Sequence, residues 1–156
     1  MAHSTEGKVS MGSKLRTASW VLLTIAGGLT LLFSLVSSFH AYGGGNYPIG
    51  GMPVAEVAGG RDGLLTALRG IRGTSAAFGA AFAVLLLGTV LGPYRRGDTA
   101  AWWTILLATL AMALIVLARI PTLGVALGQG GTSMAYTLGG LILLALLLDV
   151  RRLSQP

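Results

Sequence analysis

Four long apolar runs, separated by short polar segments, dominate the pattern of this sequence. None of them carries a charged residue near its middle, and each has about the 20 residues that cross a hydrocarbon core roughly 30 Å thick. The pattern predicts an all-α fold, a bundle of four transmembrane helices with an extended outer loop between the first and second. The predicted helices lie at about 19–39, 63–92, 100–119 and 132–150.

The first run raises the question of a signal peptide, because Lys8, Lys14 and Arg16 precede it. The run is longer than the roughly 7–15 residues of a signal-peptide core, and no clean small-residue cleavage site follows it. We therefore expect a retained helix in a membrane domain of residues 19–152. Residues 1–18 are expected to form a cytoplasmic tail.

The second helix is expected to extend beyond its apolar run. Asp62 is placed as an N-cap before the helix-forming stretch LLTALR. A helix over 63–92 would be about 45 Å long, so its first turns would stand in the headgroup layer. Pro121 is expected to end the third helix, because proline cannot continue the hydrogen-bond ladder.

Lysine and arginine side chains are unevenly divided between the two ends of the predicted bundle. Seven flank one end: Lys8, Lys14, Arg16, Arg95, Arg96, Arg151 and Arg152. Four flank the other: Arg61, Arg69, Arg72 and Arg119. Positive loops favour the cytoplasm, so we expect a multi-pass protein of the plasma membrane with both termini cytoplasmic. Residues 40–62 form the outer loop, and the apolar content of PIGGMPVAEV predicts that part of it packs back on the helices.

Composition narrows the classes of function. Of 156 residues 53% are apolar and only 10% are charged, and there is no cysteine. The absence of cysteine excludes disulfides and thiolate metal sites, and no cofactor or metal site is expected. The net charge of +6 lies at the ends of apolar runs, which favours lipid headgroups rather than nucleic acid as the partner.

Arginines near the outer end form the main candidate site. Arg69 and Arg72 are three residues apart and share a helix face, and Arg119 should reach the same depth. Together with Tyr42, they are the predicted ligand-binding residues for an anionic or strongly polar headgroup. The alternative is that they extend to lipid phosphate, with Glu56 or Asp62 pairing one of them.

Two classes of function remain open on the sequence. The first is a non-catalytic membrane protein that binds a lipid or another hydrophobic molecule, or serves as an accessory subunit to a membrane partner or a second copy of itself. The second is a small membrane enzyme acting on a hydrophobic, isoprenoid-like substrate, with His40, Glu56 and Asp62 as its catalytic candidates. A transporter is disfavoured, because no helix interior carries an acid.

Glycine pairs within the apolar runs predict close helix packing. Gly27-Gly28 lies in the first run and Gly139-Gly140 in the fourth, where a missing side chain lets two backbones approach. We expect the first and fourth helices to cross there, with packing of two protomers at these glycines as the alternative.

A resemblance to a known family is carried by the stretch LRGIRGTSAAFGAAFAVLLL and by Arg119 before a glycine-containing loop. The chain resembles small bacterial four-helix membrane proteins of the DoxX-like kind, and in particular a neighbouring group of unknown function. The resemblance covers roughly residues 64–150. It implies the four-helix architecture and supplies no activity. The acid that the group often has in its fourth helix is absent from AYTLGGLILLALLL.

Overall fold

The computed structural model describes residues 5–123, 132–150 and 153, and this part of the chain is almost entirely helical. It contains four long helices, and one small folded connection joins the first of them to the second. The elements are α1 (Thr5–Tyr42), β1 (Pro48–Ile49), β2 (Met52–Pro53), α2 (Val54–Ala58), α3 (Asp62–Thr89), a π-helical turn (Val90–Tyr94), α4 (Thr99–Leu123) and α5 (Thr132–Leu148). The all-α prediction is confirmed.

The first helix is much longer than its apolar run. It begins at Thr5 rather than near residue 19, so most of the predicted N-terminal tail is helical. Residues 5–18 contain no proline, and helix geometry continues beyond the hydrocarbon-length stretch that an apolar pattern detects. The 38 residues of α1 correspond to about 57 Å, nearly twice the thickness of a hydrocarbon core.

Two predictions about helix ends are wrong. Asp62 is the first residue of α3 and not its N-cap; Arg61 holds the cap position, where no side chain bonds the helix amides. Asp62 instead places its negative charge in the first turn, where the helix dipole favours it. Pro121 does not end α4, which continues to Leu123. Only two residues of α4 follow Pro121, so its missing N–H and the clash of its ring with the preceding turn affect only the end of the helix.

The end of α3 widens into a π-helical turn that contains Pro93. Proline cannot donate the amide hydrogen that a regular α-helix would use, and π-turns commonly mark such interruptions. A short connection to α4 follows, in which Gly97 has a positive φ of 102°. The Asp98 carboxylate accepts a hydrogen bond from the Ala100 amide at 2.8 Å, which caps α4.

Helix α1 is the centre of the packing, since it contacts both α3 and α5, whereas α4 packs mainly on α5. The buried core is formed by all four long helices and the π-turn, and lies near the N-terminal half of α1. Its members are Leu23, Ala26, Leu86, Val90, Tyr94, Ala101, Trp102, Ile105, Ile142, Ala145 and Leu146. The opposite end of α1 is therefore free of this core.

Three helical segments are long and apolar enough to cross a membrane: Gly12–Tyr42, Asp62–Tyr94 and Thr99–Thr122. Within the described residues the fourth, Ser133–Leu148, is apolar but shorter. Large apolar side chains such as Phe78, Leu85 and Ile115 are exposed on the helix surfaces. Surfaces of this kind need hydrocarbon around them, so the chain is a multi-pass membrane protein.

The connection between α1 and α3 is folded, not extended. Strands β1 and β2 form an antiparallel pair, and α2 follows directly and packs on α3. Val54 and Ala58 of α2 are buried, as the apolar content of the segment predicted, whereas Met52 is exposed. Residues 40–42 were predicted to lie in the outer loop, but they belong to the last turn of α1, which ends at Tyr42.

The glycine pairs behave differently from the prediction. A Cβ on Gly27 would meet the Leu87 side chain of α3 at 2.9 Å, so this glycine admits a close α1–α3 contact. A Cβ on Gly28, Gly139 or Gly140 would meet nothing within 4 Å in the described part of the chain. The predicted crossing of the first and fourth helices at these glycines is therefore not present there.

Candidate ligand site

Arg72 is the charged side chain held most firmly near the C-terminal end of α1. Its Nε donates a hydrogen bond to the Ser37 Oγ at 3.1 Å, which ties α3 to α1. Its guanidinium carbon lies 4.0 Å from the centroid of the Tyr47 ring. A cation at this distance over an aromatic face is attracted by the ring quadrupole. One edge and one face of the guanidinium are thus fixed.

Tyr47 is positioned by the folded connection. It is only 4% exposed, and its hydroxyl donates to the Leu68 carbonyl of α3 at 3.1 Å. Its own carbonyl accepts from the Val54 amide at 2.9 Å, which links it to the start of α2. The hairpin and α2 therefore act together to press an aromatic ring onto Arg72.

Arg69 reaches the same region by a different contact. Its Nη2 donates to the Gly44 carbonyl at 3.2 Å, just beyond the end of α1. Its Nε is buried and has no hydrogen-bond partner among the residues that the structure describes. A buried donor without an acceptor is costly, so the protein satisfies the Arg69 guanidinium only in part.

The predicted pairing of an arginine with Glu56 or Asp62 is wrong for Arg69 and Arg72. In the described ranges both use neutral partners, a carbonyl, a hydroxyl and an aromatic ring, and neither forms an ion pair with those acids. Glu56 lies on the exposed side of α2, and Asp62 is held at the start of α3. Both positive charges are therefore left without a counter-charge from these two acids.

The other predicted site residues are less well connected. Tyr42 is 70% exposed and lies against Gly73, so close that a Cβ there would be blocked. The His40 Nδ1 is 2.8 Å from the Val36 carbonyl of its own helix, the ordinary partner of a helical side chain. Arg119 belongs to α4, and its side chain lies outside the described part of the structure.

A cavity of about 570 Å³ opens beside Arg72. Side chains from α1, α3, α4 and α5 line it. The polar members are Thr30, Ser34, Ser37, Arg72 and Ser75. Apolar members include Phe33, Phe82, Met112, Met134, Leu138 and Ile142. Its size is within the roughly 300–1,000 Å³ typical of small-molecule sites, and a mainly apolar lining with a few polar groups is their usual chemistry.

Sequence reasoning did not name Ser37 or Tyr47 as site residues. A signal for Ser37 was present: Thr30, Ser34 and Ser37 follow at i, i+4 and i+7, which places three hydroxyls on one face of α1. All three line the cavity. Tyr47 had no comparable signal, because its position depends on how the hairpin folds onto α3.

Within the described residues, no group of three or more histidine, aspartate or glutamate side chains could hold a metal ion. No protein-family model, no curated protein and no solved structure matches this chain. The candidate site therefore depends on its own geometry: two arginines held by neutral partners, one of them at the polar end of an apolar cavity.

Proposed function

We propose that this chain is a four-helix transmembrane bundle of the bacterial inner membrane that binds a lipid or another hydrophobic molecule through a polar or anionic group. Arg69, Arg72 and Arg119 are the proposed ligand-binding residues. The observation that supports this most directly is the cavity, whose lining is apolar except for hydroxyls and the Arg72 guanidinium.

The charge of the site also supports an anionic ligand. A guanidinium beside hydrocarbon is costly unless a partner compensates it. The hydroxyl of Ser37 and the ring of Tyr47 orient Arg72 without neutralising it. Arg69 has a buried Nε with no acceptor in the part of the chain that the structure describes. A ligand oxygen in the cavity would neutralise Arg72, which lines it, whereas Arg69 lies outside the lining.

The enzyme alternative would use the same ligand and the predicted catalytic residues His40, Glu56 and Asp62. Among the described residues their contacts are local: His40 bonds its own helix, and Asp62 begins α3. Binding without chemistry is therefore the function that we propose. An accessory role beside a membrane partner or a second copy is compatible with the same site.

Single replacement of the arginines by glutamine tests this proposal. We expect Arg69→Gln and Arg72→Gln to reduce the amount of ligand that co-purifies in mild detergent, because each loses a charge-assisted hydrogen bond of about 1.5–3 kcal/mol. Such a loss corresponds to roughly tenfold to 100-fold weaker binding. Arg119→Gln is expected to act in the same direction. Native mass spectrometry measures the retained ligand directly.

Arg96→Gln is the matched control, because Arg96 is an exposed arginine in the connection to α4 and does not line the cavity. It should retain the parental ligand. If Arg69→Gln, Arg72→Gln and Arg119→Gln all retain it as well, the arginines only reach lipid phosphate and the proposed binding site does not exist. A modified rather than intact ligand in the parent protein would favour the enzyme.

The proposed topology is tested by cysteine labelling, which is straightforward because the chain has no native cysteine. Ala55 of α2 and Thr99 at the start of α4 are both exposed. An impermeant maleimide should label Ala55→Cys in cells with an intact inner membrane, and Thr99→Cys only after permeabilisation. Labelling of both positions from one side would contradict four crossings with cytoplasmic termini.

A further inference from the structure

The way in which Arg72 is held determines which part of it can meet a ligand. Arginine has five N–H donors, one on Nε and four on the two terminal nitrogens. Ser37 accepts from Nε, and the Tyr47 ring covers one face of the guanidinium. In the described ranges no residue accepts from the terminal nitrogens. The donors that remain are those of the Nη1–Nη2 edge, a planar fork that fits two oxygens of one carboxylate.

The charge of the cavity sets the charge of its ligand. Arg72 is the one charged side chain among the residues that line it, and the other polar members carry hydroxyl groups. Ser75 and Thr30 donate their hydroxyl hydrogens to carbonyls of their own helices. Because Arg69 is not among the lining residues, a singly charged acid inside the cavity would be neutralised by Arg72 alone, whereas a dianion would be left with excess charge beside hydrocarbon.

The lining and volume of the cavity indicate the kind of tail that the acid group carries. Below Arg72 the lining is mainly apolar, from Phe33, Phe82 and Leu138 to Ile142 of the buried core, and its polar groups are the hydroxyls of Ser34 and Thr30. A tail that leaves the bilayer for this cavity exchanges one hydrocarbon environment for another, so it gains little from the transfer itself. Selectivity must then come from the headgroup, and a volume of about 570 Å³, the size of an ordinary small-molecule site, favours one chain over two.

We infer that the cavity binds a single-chain amphiphile that ends in a carboxylate, with the carboxylate on the terminal nitrogens of Arg72 and the chain directed toward Ile142. This inference depends on the proposed function and makes it specific: it names the ligand class, the headgroup contact and the path of the tail. Ser37 and Tyr47 are positioning residues that present the fork.

The test is equilibrium binding of radiolabelled palmitate to the delipidated full-length protein in a neutral maltoside detergent. Unlabelled palmitate, hexadecanol, hexadecyl phosphate and phosphatidylglycerol serve as competitors. Palmitate should compete at least tenfold better than hexadecanol, which has the same tail and no charge, since it alone gains the charge-assisted pair. It should also compete better than hexadecyl phosphate and phosphatidylglycerol.

Variants locate the binding within the cavity. Arg72→Gln should weaken palmitate binding about tenfold to 100-fold, the range expected for one charge-assisted hydrogen bond. Arg72→Lys keeps the charge and loses the fork, so it should restore part of the affinity. Leu138→Trp should abolish binding by filling the tail path, and Ala135→Phe provides a second filled cavity if the first variant does not purify. Arg61→Gln, an exposed arginine outside the lining, should bind within about twofold of the parent, as expected of a surface substitution.

The inference fails if hexadecanol competes as well as palmitate, or if both filled cavities still bind palmitate. Stronger competition by hexadecyl phosphate would contradict a carboxylate headgroup. Stronger competition by phosphatidylglycerol would contradict a single-chain ligand. These outcomes differ from failure of the proposed function. Native mass spectrometry of the undelipidated protein tests that function separately, by measuring whether any ligand is retained. A ligand lost with Arg69→Gln or Arg119→Gln but retained with Leu138→Trp would leave binding at the arginines and remove it from the cavity.

Discussion

Tyr94→Ala is expected to destabilise the folded protein by on the order of 3–5 kcal/mol, the cost of emptying a fully buried aromatic site. Tyr94 is completely buried at the end of α3. Its hydroxyl lies 2.6 Å from the Ser19 Oγ of α1, and Ser19 donates to the Ala145 carbonyl of α5 at 2.7 Å. Because the Ser19 hydroxyl has one hydrogen and donates it to Ala145, the Tyr94 hydroxyl must be the donor to Ser19. Two hydroxyl groups thus join three helical segments.

Denaturant unfolding in detergent micelles, followed by circular dichroism, measures this effect. Tyr94→Phe keeps the ring and should cost only about 1 kcal/mol, as is usual for hydrogen bonds between membrane helices. Tyr136→Phe is the matched control, because the buried Tyr136 hydroxyl has no hydrogen-bond partner among the described residues. Its removal should be neutral or slightly stabilising. Equal losses from the two Tyr→Phe changes would show that the link through Ser19 contributes nothing.

The helices were largely predictable, because their signal is local and repeated. A run of about 20 apolar residues identifies a hydrocarbon-spanning helix whatever surrounds it. The boundaries were less predictable, because helix geometry continues wherever nothing stops it. Thus α1 begins at Thr5 in a polar segment, and α4 passes Pro121. Apolarity marks the length that lies in hydrocarbon, and not the length of the helix.

The candidate site was predictable only in part. Arg69 and Arg72 were identifiable because a charged pair at the edge of an apolar run requires a partner. Their contacts were not, since Ser37 is 35 residues away from Arg72 in sequence and Tyr47 reaches it through the hairpin. An acidic partner for one arginine was the alternative to a ligand, because opposite charges attract. The folded connection instead supplies an aromatic ring and a hydroxyl, which orient a cation and leave its charge available.

The two polar features of α1 are separated along its length. Ser19 belongs to the buried link with Tyr94, and Ser37 contacts Arg72 at the cavity. Eighteen residues apart by their numbers, they are about 27 Å distant along the helix axis. The first holds the helices together where the core is dense, and the second lies where the core gives way to a cavity. Changes at one end should therefore leave the other nearly unaffected.

Tyr47→Ala is expected to release the folded connection from α3 while the long helices remain packed. Its buried ring supports Arg72 and its hydroxyl bonds Leu68, and both contacts are lost with the side chain. Emptying such a site costs about 3 kcal/mol or more, which corresponds to roughly 100-fold faster amide exchange in residues 48–58. Loss of the cation–aromatic contact, about 0.5–1 kcal/mol, should also weaken ligand binding twofold to fivefold. Hydrogen exchange with mass spectrometry measures the first effect.

Tyr47→Phe separates the two contributions of this residue, because it keeps the ring over Arg72 and removes only the bond to Leu68. It should leave ligand binding unchanged and accelerate exchange slightly. Phe39→Ala removes an aromatic side chain that is 75% exposed at the same end of α1 and should alter neither exchange nor unfolding appreciably. If exchange in residues 48–58 is the same in Tyr47→Ala as in the parent, Val54 and Ala58 alone hold the connection. Ser37 alone would then position Arg72, and the hairpin would not help to orient the Arg72 guanidinium toward the cavity.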